Sequence, residues 1–303
     1  MRVAAIDMFR GLSIVLMVVF TVILVLSNIL PWPLTHNVPG TLRPGDFVFP
    51  MFIFASGMSL VFFDQKRKKL KRNQYILDVI ERFGKLVLIW FFLSPFSAGR
   101  FLGVDEILVI ALLMIPSLLL VKFSEKKIAI VALSVFILYF VLSAWNSLPY
   151  FNEDYLGGYG AVIFYLPVML AGVITGKNIK ETKKLIVPVV IISLLLLLFI
   201  QPYKNIVSPS FMALSVLVSL VLFECCKKIK FEPLEYLGKK PIRYWVLMFL
   251  VIGIPIVFYA GYSEKTLPLD FDWPVATIIV CFEVVVLYLI SKLLDKIQEF
   301  IKN

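Results

Sequence analysis

GLSIVLMVVFTVILVLSNIL, residues 11–30, decides the fold. This uncharged run matches the roughly 20 residues that an α-helix needs to cross a hydrocarbon core about 30 Å thick. Arg2, Asp7 and Arg10 precede it, the run is too long for the apolar part of a signal peptide, and no small-residue cleavage pattern follows. It is expected to be a retained first membrane span. The rest of the 303 residues share this character. The chain is 60% apolar and 17% charged, and its mean hydropathy is +0.94. Soluble domains carry about 45–50% apolar and 25% charged residues, so a soluble fold is excluded.

Moving outward from the first run, a window of about 19 residues predicts ten spans, at 11–30, 47–63, 75–97, 105–121, 128–145, 160–176, 185–200, 209–226, 243–262 and 273–293. The expected fold is an all-α, polytopic membrane helix bundle of about ten transmembrane helices. With both termini cytoplasmic, only Arg43, Arg100, Lys204 and Lys265 of the 30 Lys and Arg fall outside, as the positive-inside rule requires. The net charge of +10 is thus accounted for by topology and by contact with anionic lipid headgroups at runs such as KRKKLKR, residues 66–72. Nucleic acid is not an expected partner. Three cysteines and one histidine, all far apart except for Cys225 and Cys226, exclude a disulfide framework and a zinc site, so no metal is expected. No internal repeat, low-complexity tail or long polar segment divides the chain, and 1–303 reads as one membrane domain.

Several polar residues stand out against this background. In the third span Asp78, Glu81, Arg82 and Lys85 interrupt the first half, which fits either a span or an amphipathic cytoplasmic helix over 75–85. The first outer loop, PWPLTHNVPGTLRPG at 31–45, is stiffened by four prolines and holds His36, the only histidine and a side chain suited to proton transfer near neutral pH. Asp46 ends that loop, placed either to cap the second span or to act in catalysis. Asp7 and Arg10 form an i,i+3 pair at the cytoplasmic mouth of the first span, beside Gly11. A guanidinium there can hold phosphate bidentately, and a glycine lets another backbone come close. Glu283 falls near the middle of the tenth span, where it is either a protonated residue hydrogen-bonded to a neighbouring helix or part of a polar tunnel. Glu224 reaches the inner interface beside Lys227 and Lys228 and reads as structural.

Two stretches, RVAAIDMFRGLSIVLMV at 2–18 and LTHNVPGTLRPGDFVFPMFIFASGMS at 34–59, carry a resemblance. Asp7, Arg10, Gly11, His36, Asp46 and Phe49-Pro50 occur in the order found in the heparan-alpha-glucosaminide N-acetyltransferase family, whose members open the first span with Asp-x-x-Arg-Gly, follow with a loop histidine, and begin the second span with an Asp-Leu-Val-Phe-Pro-like motif. NIVSPSF at 205–211 is similar to a Ser-Pro-Ser stretch before a late span, and PLEYLGKKPIRYWV at 233–246 to the helix start that follows it. The chain departs from the family after the histidine, with Val38, Pro39 and Gly40 in place of an aromatic and an asparagine, and with Thr21 in place of an asparagine near the outer end of the first span.

The resemblance implies a multi-pass protein of the cytoplasmic membrane, a transmembrane acyltransferase-like domain over 1–303. It would move an acyl group, expected to be acetyl, from acetyl-coenzyme A to an amine or hydroxyl of an extracytoplasmic glycan or glycolipid. It implies His36 as general base or as nucleophile, with Asp46 orienting it or capturing a proton. Asn28 and Asn37 are the candidates to replace the family's asparagines, and with Arg43 they are expected at the acceptor. Asp7, Arg10, Gly11, Ser208, Ser210, Lys239 and Lys240 are the residues expected at the donor. Expected partners are acyl-coenzyme A, the acceptor and membrane lipids, with homodimerisation left open. A transporter or flippase of small molecules or lipid-linked sugars is the rival reading, although paired interrupted helices in two halves are not visible.

Overall fold

The computed structural model describes residues 3–27, 30–35, 41–67, 70–97, 102–144, 160–202, 207–255 and 271–302. Among the described residues the chain is helical throughout and contains no strand. The helices are α1 (Ala4–Leu26), α2 (Val48–Arg67), α3 (Arg72–Ser97), α4 (Glu106–Leu120), α5 (Glu125–Ala144), α6 (Ala161–Lys177), α7 (Lys183–Phe199), α8 (Pro209–Lys228), α9 (Glu232–Lys239), α10 (Pro241–Met248) and α11 (Trp273–Lys302). Short 3-10 turns occupy Trp32–Leu34 and Pro44–Phe47, and a π-helical turn, Phe249–Gly253, prolongs α10. Most described residues of the expected spans are helical, with Ser27 and Leu30 of the first one outside its helix. Among the described residues four helical stretches, Ala4–Leu26, Pro44–Arg67, Pro209–Lys228 and Trp273–Ile301, are long and apolar enough to cross a membrane. The chain is a membrane protein with an all-helical fold.

Local sequence sets the helix ends. Asp105 caps α4, its carboxylate accepting the Leu108 N–H at 2.9 Å. Ser208 caps α8, accepting the Phe211 N–H at 3.2 Å, and Pro209 follows where its missing N–H costs nothing. Pro233 and Pro241 likewise sit in the first turns of α9 and α10, so that region is two short helices broken at Lys240.

The chain divides into two compact units. The first comprises Met1–Ile6, Asn37–Leu42 and Phe49–Ile229, and so holds α2 to α8. In it α5 packs on α6, α7 on α8, and α4 on α3 and α6. Its centre is a glycine seam between α2 and α6. A Cβ added at Gly57 would overlap the Met169 carbonyl oxygen, one at Gly172 would overlap that of Phe54, and one at Gly176 would come within 2.9 Å of Met58 backbone. Gly172 and Gly176 stand four apart, the small-residue spacing that lets membrane helices touch backbone to backbone. Beside the seam Val61, Val121, Ile128, Leu170 and Val173 form a buried apolar cluster, and Phe49 of the second-span motif packs edge-on against the buried Tyr165 with ring centroids 5.0 Å apart.

The charged half of α3 is an uninterrupted part of its helix, and its charges divide by face. Asp78 is paired with Arg67 of α2, the Arg67 and Arg82 guanidinium groups lie 4.0 and 5.0 Å from the Phe63 ring centroid, and the Tyr75 hydroxyl donates to the buried Asp64 at 3.3 Å. Leu77, Ile80 and Leu88 point outward and are exposed. Glu81 and Lys85, ion-paired with each other, are exposed on that same face, so the first half of α3 presents both apolar and charged side chains outward, as either expected reading allows.

The second unit comprises Asp7–His36, Arg43–Val48 and Lys230–Asn303, and so holds most of α1 with α9, α10 and α11. The Phe271 N–H donates to the Leu26 carbonyl at 3.1 Å, joining the segment before α11 to the end of α1, and α10 packs against both α9 and α11.

Candidate functional site

Within the second unit the structure brings together two stretches that the sequence holds more than 220 residues apart. A Cβ on Gly11 would overlap the Leu234 carbonyl oxygen, and a Cβ on Gly238 would overlap the Asp7 carbonyl oxygen and lie 2.8 Å from the Gly11 nitrogen. Helices α1 and α9 therefore meet backbone to backbone, which requires glycine at both positions. The contact places the Asp7, Arg10 and Gly11 motif beside the segment that carries Lys239 and Lys240. Gly11 lets another backbone come close, as expected of it, and that backbone is the Leu234 turn of α9. Asp7 is buried and ion-paired with Arg10.

The other cations of this end are held by carboxylates. Lys239 pairs with Glu235 at 2.8 Å. Lys240 pairs with Asp295 of α11, and Arg243 reaches the same Asp295 oxygen at 2.5 Å. The Tyr236 hydroxyl donates to the second Asp295 oxygen at 2.5 Å, and Arg243 also donates to the Ser291 carbonyl at 3.3 Å. Burial, and then the hydrogen bond to the Asp295 carboxylate, push the Tyr236 phenol above its ordinary value, so it remains a donor at neutral pH. The Tyr236 and Tyr288 rings meet edge to face at 5.5 Å, with the Lys292 ammonium 5.6 and 4.8 Å from their centroids. Asp295 thus ties α9, α10 and α11 together. Sequence reasoning missed it; its signal is the i,i+4 step from Ser291 along the inward face of α11.

The remaining expected residues fall elsewhere. Ser208 and Ser210 belong to the first unit, where their hydroxyls are 2.9 Å apart and buried at the start of α8. Val207 precedes them at φ 43°, a left-handed conformation that is costly for a β-branched residue. Asp46 is fully buried and accepts the Arg43 backbone N–H at 2.8 Å within the turn Pro44–Phe47, so it caps that 3-10 turn one step before α2 begins. His36, Asn28 and Asn37 lie outside the described residues. Glu224 pairs with Lys227 at 2.7 Å, and Lys227 also donates to Thr182 of the same unit at 3.0 Å, in keeping with a structural role. Glu283 is buried, and among the described residues neither of its oxygens has a hydrogen-bond partner, which favours the second of its two expected roles over a bond to a neighbouring helix. Cys225, Cys226 and Cys281 are free thiols. Among the described residues no group of His, Cys, Asp and Glu is arranged to hold a metal.

Arg10, Lys239, Lys240 and Arg243 are two guanidinium and two ammonium groups of the kind that recognises phosphate, and they are paired with three carboxylates, Asp7, Glu235 and the shared Asp295. No curated protein matches the chain. The model of the heparan-alpha-glucosaminide N-acetyltransferase catalytic domain matches residues 2–197. That match runs from α1 through most of α7, includes Asp7, Arg10, Gly11, His36 and Asp46 in order, and ends before α8 to α11. Covering well over half of a membrane-embedded helical chain, it shows that the protein belongs to the heparan-alpha-glucosaminide N-acetyltransferase family of membrane acetyltransferases.

Proposed function

We propose that the protein transfers an acetyl group from acetyl-coenzyme A, taken up at its cytoplasmic end, to an amine or hydroxyl of an extracytoplasmic glycan or glycolipid. The observation that carries this reading is the backbone contact of α1 with α9, which sets the Asp7-x-x-Arg10-Gly11 motif beside Lys239 and Lys240. The diphosphate and ribose phosphate of the donor would exchange for Asp7 at Arg10 and for Asp295 at Lys240 and Arg243, so the site trades carboxylates for phosphates without leaving a cation unpaired. Both termini are then cytoplasmic, the first outer loop faces the acceptor, and ten helices cross the membrane.

In the transfer itself the acceptor nitrogen or oxygen attacks the thioester carbonyl carbon, the new C–N or C–O bond forms, and the C–S bond breaks. The acceptor proton passes through His36 to the departing thiolate, leaving free coenzyme A. His36 acts as the general base in direct transfer and as the nucleophile if an acyl-imidazole forms first. Trapping of acetylated His36 in a rapid quench separates the two routes. Asp46, buried and hydrogen-bonded at the end of the same loop, is the candidate to orient it.

The test is binding of acetyl-coenzyme A to detergent-purified protein, read as a thermal shift. At 100 times its Kd the donor stabilises a folded protein by about 2.7 kcal/mol. The expected pattern is a shift in wild type that is lost in Arg10→Ala and kept in His36→Ala, with acetyl transfer abolished in both. Folded wild type that shows no shift overturns the donor reading.

A further inference from the structure

Helix α11 has two faces of opposite character. Ala276, Val280, Glu283, Leu287 and Ser291 are buried, at the 3–4 residue spacing of one helix face. Ile278, Phe282, Val285 and Leu289 are exposed on the other face. Glu283 thus stands on the inward stripe, more than nine-tenths buried, with neither carboxyl oxygen hydrogen-bonded among the described residues. The other buried acids differ. Asp7 is paired with Arg10, Asp46 accepts the Arg43 N–H, Asp64 accepts from Tyr75, Asp105 caps α4, and Glu224 is paired with Lys227. A carboxyl left unsatisfied inside a protein and at membrane depth opposes folding, and a leucine would fill the position without that penalty.

The same stripe leads to the phosphate-binding chemistry. At 1.5 Å per residue Glu283 lies about 12 Å along the helix from Ser291 and about 18 Å from Asp295, the residue that holds Lys240 and Arg243. A ligand that suits both places has an anionic head and, further along a slender arm, groups that donate hydrogen bonds. We infer that Glu283 is the acceptor for the amide N–H or hydroxyl groups of the pantetheine arm of the acyl donor, an inference that rests on the donor reading above. It is a positioning residue for the arm and takes no part in bond making. No residue on the described part of its stripe competes for the same donors, since Ala276, Val280 and Leu287 are apolar and Ser291 serves Arg243.

The test compares acetyl-coenzyme A with 3′-phospho-ADP, the same head without the arm, on full-length protein carrying Glu283→Leu or Glu283→Gln. Glu283→Leu should lose about tenfold in affinity for acetyl-coenzyme A, the scale of one hydrogen bond, with 3′-phospho-ADP binding unchanged and with a melting temperature no lower than wild type. Glu283→Gln keeps an acceptor oxygen and should lose less. Unchanged acetyl-coenzyme A affinity in Glu283→Leu, or an equal loss for both ligands, overturns the inference. Should the leucine variant fail to fold, wild type still decides. Dicyclohexylcarbodiimide, an apolar reagent for buried carboxyl groups, should modify Glu283, with protection by acetyl-coenzyme A and none by 3′-phospho-ADP. Absent labelling, or labelling indifferent to acetyl-coenzyme A, overturns the inference. Wild type that binds acetyl-coenzyme A in these experiments leaves the donor reading standing whatever Glu283 does, and wild type that binds neither ligand overturns both.

Discussion

Each of the two units is built on a glycine seam, and the seams differ in what borders them. Between α2 and α6 the contact of Gly57, Gly172 and Gly176 is flanked by Val61, Leu170 and Val173, with no charge among them. Between α1 and α9 the contact of Gly11 and Gly238 is flanked by the pair of buried Asp7 with partly exposed Arg10, and the Tyr236–Asp295–Arg243 cluster follows on the next turns. The first seam has the composition of a scaffold, because backbone contact and dispersion are all it offers. The second places ionised groups where displacement by an external anion changes their pairing. Close packing alone therefore does not mark a site. The proposed donor site rests on the seam that adds charge to close packing.

The sharpest way to break this comparison is to add one carbon to each seam. Gly172→Ala and Gly238→Ala both drive a Cβ into a carbonyl oxygen, and each should cost at least about 1–3 kcal/mol as overpacking. Thermal melts should show both losses, but acetyl-coenzyme A affinity of the folded fraction should fall only in Gly238→Ala. Equal effects on binding would erase the distinction between the seams. Next in size is Asp295→Ala. It removes one partner from two half-exposed cations and should cost about 1–2 kcal/mol, below the range of a fully buried pair. The same change leaves Lys240 and Arg243 without their carboxylate, so 3′-phospho-ADP should bind more tightly, as titration calorimetry would show.

Tyr236→Phe refines the picture at the level of about 1 kcal/mol. The Tyr236 phenol is raised in the fold, so its contribution is complete below the unfolded value near 10 and is lost as pH rises through the folded one. Wild type should lose stability on the alkaline side faster than Tyr236→Phe, measured by melts at pH 8 to 11. The smallest effect is a gain. Gly84 of α3 has nothing within 4 Å of an added Cβ, and Gly84→Ala should stabilise by about 0.5–1 kcal/mol through helix propensity alone. A loss there would mean that α3 meets another surface.

The helices were legible in the sequence because hydrophobic length is a strong signal, and the differences at their ends have local causes. Helix α1 begins at Ala4, ahead of the expected span, because Asp7 and Arg10 neutralise each other one turn apart and can enter the helix as a pair. Helix α11 continues to Lys302 because its inward face remains useful past the apolar run, through Ser291 and Asp295. The Asp7-x-x-Arg10-Gly11 motif was legible as chemistry, but its neighbours were not. No local pattern tells that Gly238 meets Asp7, since the contact depends on how the chain returns after more than 200 residues. The Gly172-x-x-x-Gly176 spacing was the readable sign of the other seam. Asp295 escaped notice because a single acid among lysines at a helix end looks like ordinary solvated charge.

The contact between α1 and α9 also has a mechanical meaning. No side chain stands between the two backbones at Gly11 and Gly238 to act as a bearing, so α9 cannot slide along α1 without first lifting away from it. A rearrangement at this end would carry the Asp7 turn of α1 together with α9 as one lever. Its pivot would be Lys240, where the backbone leaves the helical region at φ −135° and ψ 54° between two proline-started helices.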